Sequence, residues 1–161
     1  MRRQDRAIED KKEIFEIMKE CHVCSLAFSG EEYPYVVPVN FGADLEEDRI
    51  TLYFHGAGSG TKIERMKADD RVSFCMYTGE ELVIKTPACR STMLYTSVCG
   101  KGRLSFVENS EEKKKGLDIL MRQYDKESES FAYDDGLLDR MAILKLTVEQ
   151  ATGKSNRPRQ S

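Results

Sequence analysis

The sequence has no tryptophan, two histidines among 161 residues, and no apolar run near the ~20 residues that span a bilayer. Without tryptophan, any strong near-ultraviolet or visible signal has to come from tyrosine or a bound chromophore. With only His22 and His55, a histidine-rich metal centre is excluded. There is no excess of charge either: 25 Lys and Arg stand against 28 Asp and Glu, for a formal net charge of -3. The two signs are mixed along the chain, which removes the electrostatic ground for expecting a nucleic-acid partner. Basic residues gather only at the ends, Arg2, Arg3 and Arg6 at one and Lys154, Arg157 and Arg159 at the other. The basic start runs into Asp5, Glu9 and Asp10 rather than an apolar segment, so no membrane partner is expected and the chain is placed in the cytoplasm. Five cysteines, an odd number at irregular spacing, fit reduced thiols better than a disulfide framework.

A chain of this length fits a single domain, residues 1–161, in which 1–9 and 153–161 read as polar, loosely held tails. Ile14, Ile17, Met18 and Cys21 recur at helical spacing behind Asp10, a helix N-cap, and the helix should end near Cys21. From Cys24 the period changes to two. Strands are predicted at 24–28, 35–41, 50–54, 71–77, 81–85, 94–107 and 141–149, with turns at 29–32 and 44–48. Short helices are predicted to about Ala68 and from Ser110, where Leu117, Leu120, Met121 and Tyr124 share a face. Leu137-Leu138 reads as a short packed turn. Pro38 cannot donate to a β ladder, so its strand belongs at an edge or a bulge. Roughly seven strands with three peripheral helices favour an antiparallel, mainly β barrel over a parallel βαβ sheet.

The most informative stretch is Leu52 to Lys62, a strand that passes through Gly56-Ala57-Gly58-Ser59-Gly60 into a helix. Such a turn lets backbone N–H groups converge beside the positive end of the helix, which suits a phosphate. Lys62 in the first helical turn opposes the macrodipole unless an anion lies between them. The segment is neither a nucleotide-triphosphate loop, lacking Gly-Lys-Ser/Thr, nor a dinucleotide fingerprint, lacking the third glycine and the βαβ frame. Taken alone it also reads as a flexible turn followed by a solvated lysine.

Four segments occur in a telling order: Pro34 to Phe41, Leu52 to Lys62, Arg71-Val72-Ser73-Phe74, and Tyr95 to Arg103. Together with Ala151-Thr152-Gly153-Lys154 and Met1-Arg2-Arg3, they resemble the nitroimidazole-resistance family of the pyridoxamine 5'-phosphate oxidase-like superfamily. The resemblance covers nearly the whole chain. It implies a split β-barrel homodimer with flavin mononucleotide (FMN) at the subunit interface. By position, Val37, Pro38, Val39 and Asn40 would line the ring system, Phe54, His55 and Gly56 would follow its edge, Ser59 and Lys62 would hold the phosphate, and Ser97 and Val98 would meet the rings. Flavin adenine dinucleotide (FAD) is an alternative, if the phosphate end opens to solvent. The arginine of the phosphate oxidases' Ser-Arg-Lys motif is not reproduced, which speaks against pyridoxamine phosphate oxidation itself.

The function so implied is an FMN-dependent oxidoreductase that passes electrons from NAD(P)H or another donor to a small oxidised molecule such as a nitro compound. His55 is its candidate catalytic residue, although a histidine there could equally bond a neighbouring strand. Two other readings stay open, a flavin-binding or redox-sensing protein without turnover, and a haem protein with His55 or His22 as axial ligand. Cys21-His22-Val23-Cys24 has dithiol spacing but lacks a second ligand pair for zinc, so no metal site is expected. Cys99 near the flavin reads as a packing residue, and Lys113-Lys114-Lys115 as the solvated face of a helix.

Overall fold

The computed structural model describes residues 4–157, so Arg2, Arg3 and Arg159 lie outside the described residues. One short 3-10 turn, Gln4–Arg6, precedes β1 (Ala7–Ile8) and α1 (Lys11–Lys19). The Asp10 carboxylate accepts from Glu13 N at 2.8 Å and so caps α1, which buries Ile14 and Met18. Then follow β2 (Cys24–Phe28), β3 (Tyr35–Val39), β4 (Gly42–Glu46), β5 (Arg49–Gly56), α2 (Thr61–Ala68), β6 (Arg71–Val83) and β7 (Thr92–Phe106). The chain continues through α3 (Ser110–Tyr124) and α4 (Asp135–Arg140) to β8 (Ala142–Ser155).

All pairings are antiparallel, in the order β3-β2-β6-β7-β8-β5-β4, with β1 added to β8. Pro38 lies in β3 at one end of this order, as the missing N–H demands. Strand β3 passes into β4, at the other end, through Asn40 and Phe41 alone, so the sheet curls until its two edges are joined by the chain. Alternate residues of β2, β5, β6 and β8 point into the enclosed core, where Leu26, Phe28, Leu52, Phe54, Phe74 and Leu146 meet Ile14 and Met18 of α1. This is the split β-barrel that the resemblance implies. A second apolar cluster lies outside the barrel wall, where Tyr53, Val107, Leu117, Leu138 and Ile143 pack under α3 and α4. Strand β5 is therefore buried on both faces, which accounts for its nearly unbroken run of apolar residues.

Several boundaries differ from the sequence reading. Residues 44–46 belong to β4 rather than to a turn. They are polar because β4 is an edge strand whose Asp44 and Glu46 pair with Lys115 of α3, at 3.4 and 2.5 Å. The turn itself is only Glu47-Asp48, both at positive φ, as a two-residue hairpin loop requires. The strands predicted at 71–77 and 81–85 are one strand with a register shift between Thr78 and Glu81, around Gly79. Leu137-Leu138 lies in a helix, α4, with Leu138 buried and Leu137 exposed.

The expected tails are held as far as they are described. Ala7 pairs with Lys154 and Ile8 with Gly153. Asn156 bonds the backbone of Tyr95 and Met93, and the Arg157 guanidinium donates to Gly79 O. Polar composition suggested loose ends, whereas β8 offers the first of them a free edge and the long β7 and β6 offer the second backbone groups to bind. Strand β7 follows the curl through a register shift at Lys101/Gly102, where a Cβ on Gly102 would run into the carbonyl of Thr147.

Candidate functional site

Strand β5 carries Phe54, fully buried, and then emerges at His55, which is exposed. Gly56 ends the strand. Four residues later Gly60, at φ 102°, sets the start of α2 in a conformation that side chains disfavour. No side chain caps this helix. Ile63 N and Glu64 N donate to Gly60 O, which leaves the N–H groups of Thr61 and Lys62 without a helical acceptor. The Lys62 side chain folds back over the strand end, with Nζ 3.2 Å from where a Cβ on Gly56 would stand. Lys62 is half-buried, and burial lowers its ammonium below the ordinary lysine range. Among the described residues no carboxylate pairs with it. A half-buried cation, an uncapped helix start and a glycine cradle thus converge, and the partner they lack is an anion. Ser59 is exposed at the same turn.

Strand β3 reaches this region from the other edge. Gly42 pairs with Tyr53, so Asn40, two residues earlier, lies toward His55. Val37 and Val39 turn their side chains inward against the core, whereas Pro38 and Asn40 face out. Asn40 Nδ2 donates to Tyr124 OH at 3.3 Å, Phe41 N donates to the same oxygen at 3.0 Å, and that hydroxyl donates to His22 O at 2.8 Å. Tyr124 of α3 therefore fixes the β3–β4 junction. The sequence reading placed it only on an apolar helix face, because nothing local reveals a partner 84 residues away.

Beside His55 opens a cleft of about 280 Å³ lined by Leu117, Leu120, Met121, Tyr133, Leu138 and Met141. The sequence does not announce it, because part of its wall comes from α4, whose residues read as a turn. A larger open cleft of about 1030 Å³ lies elsewhere, around Asp44, Glu46, Glu112, Lys115 and Lys145. Lys145 pairs there with Glu112 and Lys115 with Glu46, both at 2.5 Å, and no predicted site residue lines it.

Ser97 and Val98 do not join the group at His55 and Lys62. Phe54 pairs with Leu144 of β8 and Val98 with Gly153, nine residues further along the same strand. That is roughly 30 Å of β8. From Pro38, the path to Cys99 crosses Ser25 and Cys75, three strand spacings or roughly 14 Å. The Val98 side chain is fully buried, so only its backbone could meet a ligand, and Ser97 is half-buried. One chain thus gathers Val37 to Asn40, Phe54 to Gly56, Ser59 and Lys62, but not the β7 pair.

Cys21 and Cys24 are core residues, and burial pushes both thiols up to about 12, which makes them inert at neutral pH. Cys21 Sγ donates to Ile17 O. No cluster of His, Cys, Asp and Glu among the described residues is arranged to hold a metal ion, and no helix there is long and apolar enough to cross a membrane.

The family profile described as pyridoxamine 5'-phosphate oxidase matches residues 10–155. No curated protein matches the chain. Among solved structures, a candidate 5-nitroimidazole antibiotic resistance protein from Bacteroides thetaiotaomicron is 37% identical, with 92% of this chain and 86% of that one covered and a TM-score of 0.78. A flavocytochrome from Azotobacter vinelandii shares the fold at 17% identity and a TM-score of 0.79, covering 98% of this chain and 72% of its own. A FAD- and heme-binding protein from Mycobacterium smegmatis does so at 15% identity and 0.78, covering 97% and 77%. With 37% identity across nearly its whole length and a profile match over residues 10–155, the chain belongs to the pyridoxamine 5'-phosphate oxidase family, in the nitroimidazole-resistance branch.

Proposed function

We propose that this protein binds FMN as a homodimer and is an oxidoreductase that reduces a small oxidised molecule, such as a nitro compound, with NAD(P)H or a similar donor. The reading rests on Lys62: a half-buried ammonium that pairs with no carboxylate among the described residues, beside helix N–H groups without a helical acceptor, fits the phosphate of a flavin mononucleotide. Ser59 adds a hydroxyl at the same turn. The outward backbone of β3 from Val37 to Asn40 and the end of β5 from Phe54 to Gly56 would lie along the ring system.

The flavin supplies hydride or electron transfer at its N5. The chain supplies position and protons. A nitro group that becomes nitroso takes up two electrons and two protons and loses water, so a proton donor must stand near the acceptor. His55 meets this need, since its imidazole opens to solvent on one side and to the apolar cleft on the other. The cleft takes an uncharged body while the imidazole nitrogen faces the group being reduced.

The second copy completes the site. Ser97 and Val98 are too far along β8 to serve the same ligand as Lys62 within one chain, and a partner subunit can bring them there. The far arm of β6 and β7 offers a surface for that contact, with Tyr77, Leu82, Ile84, Met93 and Tyr95 all exposed. In the cell such a protein would work in the cytoplasm.

The absorption spectrum of the purified protein tests the reading. Two broad bands in the blue and near ultraviolet, bleached by NAD(P)H under anaerobic conditions and restored by a nitro acceptor, are expected. A sharp Soret band would assign a haem protein instead, and a yellow protein that no donor bleaches would assign a binding or sensing role.

A further inference from the structure

On the outer face of the barrel, one transverse row crosses β6, β7 and β8 at Tyr77, Ser97 and Lys154. Val98, the next residue of β7, turns its side chain into the core, and Gly153 opposite it in β8 is buried, so Ser97 and Lys154 face outward together. Directly opposed residues hold their Cβ atoms about 4.5–5.5 Å apart. Whatever meets Ser97 therefore lies beside the Lys154 side chain as well. Tyr77 and Ser97 are neutral, and Ala7 of β1 closes the row on the other side of Lys154. The lysine is half-buried and pairs with no carboxylate among the described residues.

Within one chain this lysine is out of reach of the cradle around Lys62. Gly56 pairs with Ala142 of β8, and Lys154 stands twelve residues further along that strand. In the homodimer proposed above, a partner subunit brings Ser97 and Val98 to the flavin, and the register of β7 against β8 brings Lys154 with them. That contact removes water from an ammonium without a carboxylate, which is costly unless negative charge faces it. Lys62 already serves the phosphate. Beside Ser97, the negative charge is that of the ring system itself: hydride uptake brings two electrons and one proton, so the reduced rings carry one negative charge more than the oxidised ones, spread over N1 and the C2 carbonyl.

We infer that the partner subunit's Lys154 lies at the N1 and C2 carbonyl edge of the flavin and stabilises its reduced, anionic form over its oxidised form. This placement rests on the FMN homodimer reading. It gives the two lysines different work. Lys62 faces a phosphate whose charge is the same in both redox states, so it governs affinity. Lys154 faces a charge that exists only after reduction, so it governs the reduction potential, in a site where the partner excludes water and a single charge acts strongly.

The midpoint potential of the bound flavin is measured against a reference dye in the parent, Lys154→Met, Lys154→Gln, Lys154→Arg and Lys101→Met. Lys101 is a control for net charge: it stands four residues along β7 from Ser97, roughly 13 Å, beyond the Debye length of about 8 Å at 0.15 M salt. In the two neutral Lys154 variants the balance of reduced to oxidised flavin should shift about ten- to a hundred-fold toward oxidised, a potential about 30–60 mV more negative. Lys154→Arg and Lys101→Met should keep the parental potential, and the neutral variants should bind oxidised FMN and riboflavin nearly as the parent does. A heterodimer of a Lys62→Met chain with a Lys154→Met chain, co-expressed under two affinity tags, tests the exchange between subunits. One of its sites lacks both lysines and the other keeps both, so one flavin per dimer should show parental affinity and potential. A dimeric flavoprotein whose potential is unmoved in the neutral variants would overturn the inference alone. So would a loss of FMN binding without loss of riboflavin binding, which would make Lys154 a second phosphate anchor, or a heterodimer with no parental site, which would put Lys154 in its own subunit's site. A parent that is monomeric or takes up no flavin would overturn the homodimer reading and the inference together.

Discussion

Replacing Lys62 by methionine removes the charge and keeps the aliphatic stem, and the two states of the protein should respond with opposite signs. In the flavin-free protein the ammonium is half-buried with no acidic partner among the described residues, and burial lowers its pKa. The unfolded chain therefore holds its proton more tightly than the folded one. Its burial costs stability at neutral pH, a cost relieved only as pH rises through the window between the lowered value and the ordinary 10.5. Lys62→Met should accordingly raise the melting temperature of the flavin-free protein at pH 7, with the gain shrinking toward pH 10. In the presence of flavin the charge has its partner. Losing a charge-assisted contact to phosphate should cost about 1.5–3 kcal/mol, roughly ten- to a hundred-fold in affinity for FMN. Riboflavin, which lacks the phosphate, should bind the variant and the parent almost equally. Fluorescence titration with both ligands and calorimetric melting of the flavin-free forms make the comparison. Equal weakening for FMN and riboflavin, or a flavin-free variant less stable than its parent, would refute the assignment of Lys62 as an anion site.

His55→Ala should keep the flavin and lower turnover with a nitro acceptor by roughly 10²-fold, the range for losing a general acid; steady-state rates at saturating flavin check this. Dilution of the protein into the nanomolar range should release flavin as the subunits part, and sedimentation that finds a flavin-saturated monomer would contradict the shared site. Tyr124→Phe should lower stability by about 1–3 kcal/mol, because Phe41 N loses its acceptor at the β3–β4 junction. Urea denaturation measures it, and a difference near zero would show that water replaces the hydroxyl.

Much of the fold was legible because its signals are local. Period-two alternation located β2 and the first half of β6, Asp10 marked the start of α1, and Pro38 restricted its strand to an edge or a bulge through chemistry that holds wherever the residue sits. The misreadings arose where partners are distant. Asp44 and Glu46 look like turn residues until Lys115 of α3 is seen opposite them. Thr78-Gly79-Glu80 looks like a break until the bulge shows that one strand can pass through it. For the candidate site, the Gly56–Lys62 segment was readable as an anion cradle because glycines, helix start and lysine are neighbours in sequence. The apolar cleft at His55 was not, since its walls come from α3 and α4. Nor could the sequence show that Ser97 and Val98 stand apart from Lys62, because that follows from the register of β8 against two different strands.

The pairing of Ala7 with Lys154 and of Ile8 with Gly153 joins positions 147 and 145 residues apart. In folding, such a contact closes nearly the entire chain into one loop for the reward of two residues of ladder, so it should come late, after β7 and β8 have aligned. The closure entropy grows only as the logarithm of loop length, which keeps this last step affordable. With β1 beside the end of β8, the fold is suited to circular permutation: a short linker from the end of β8 to β1 would turn this distant contact into a local hairpin. New termini could then be cut at an exposed turn such as 29–32, and the permuted protein should close its barrel faster than the natural one while keeping the same strand order.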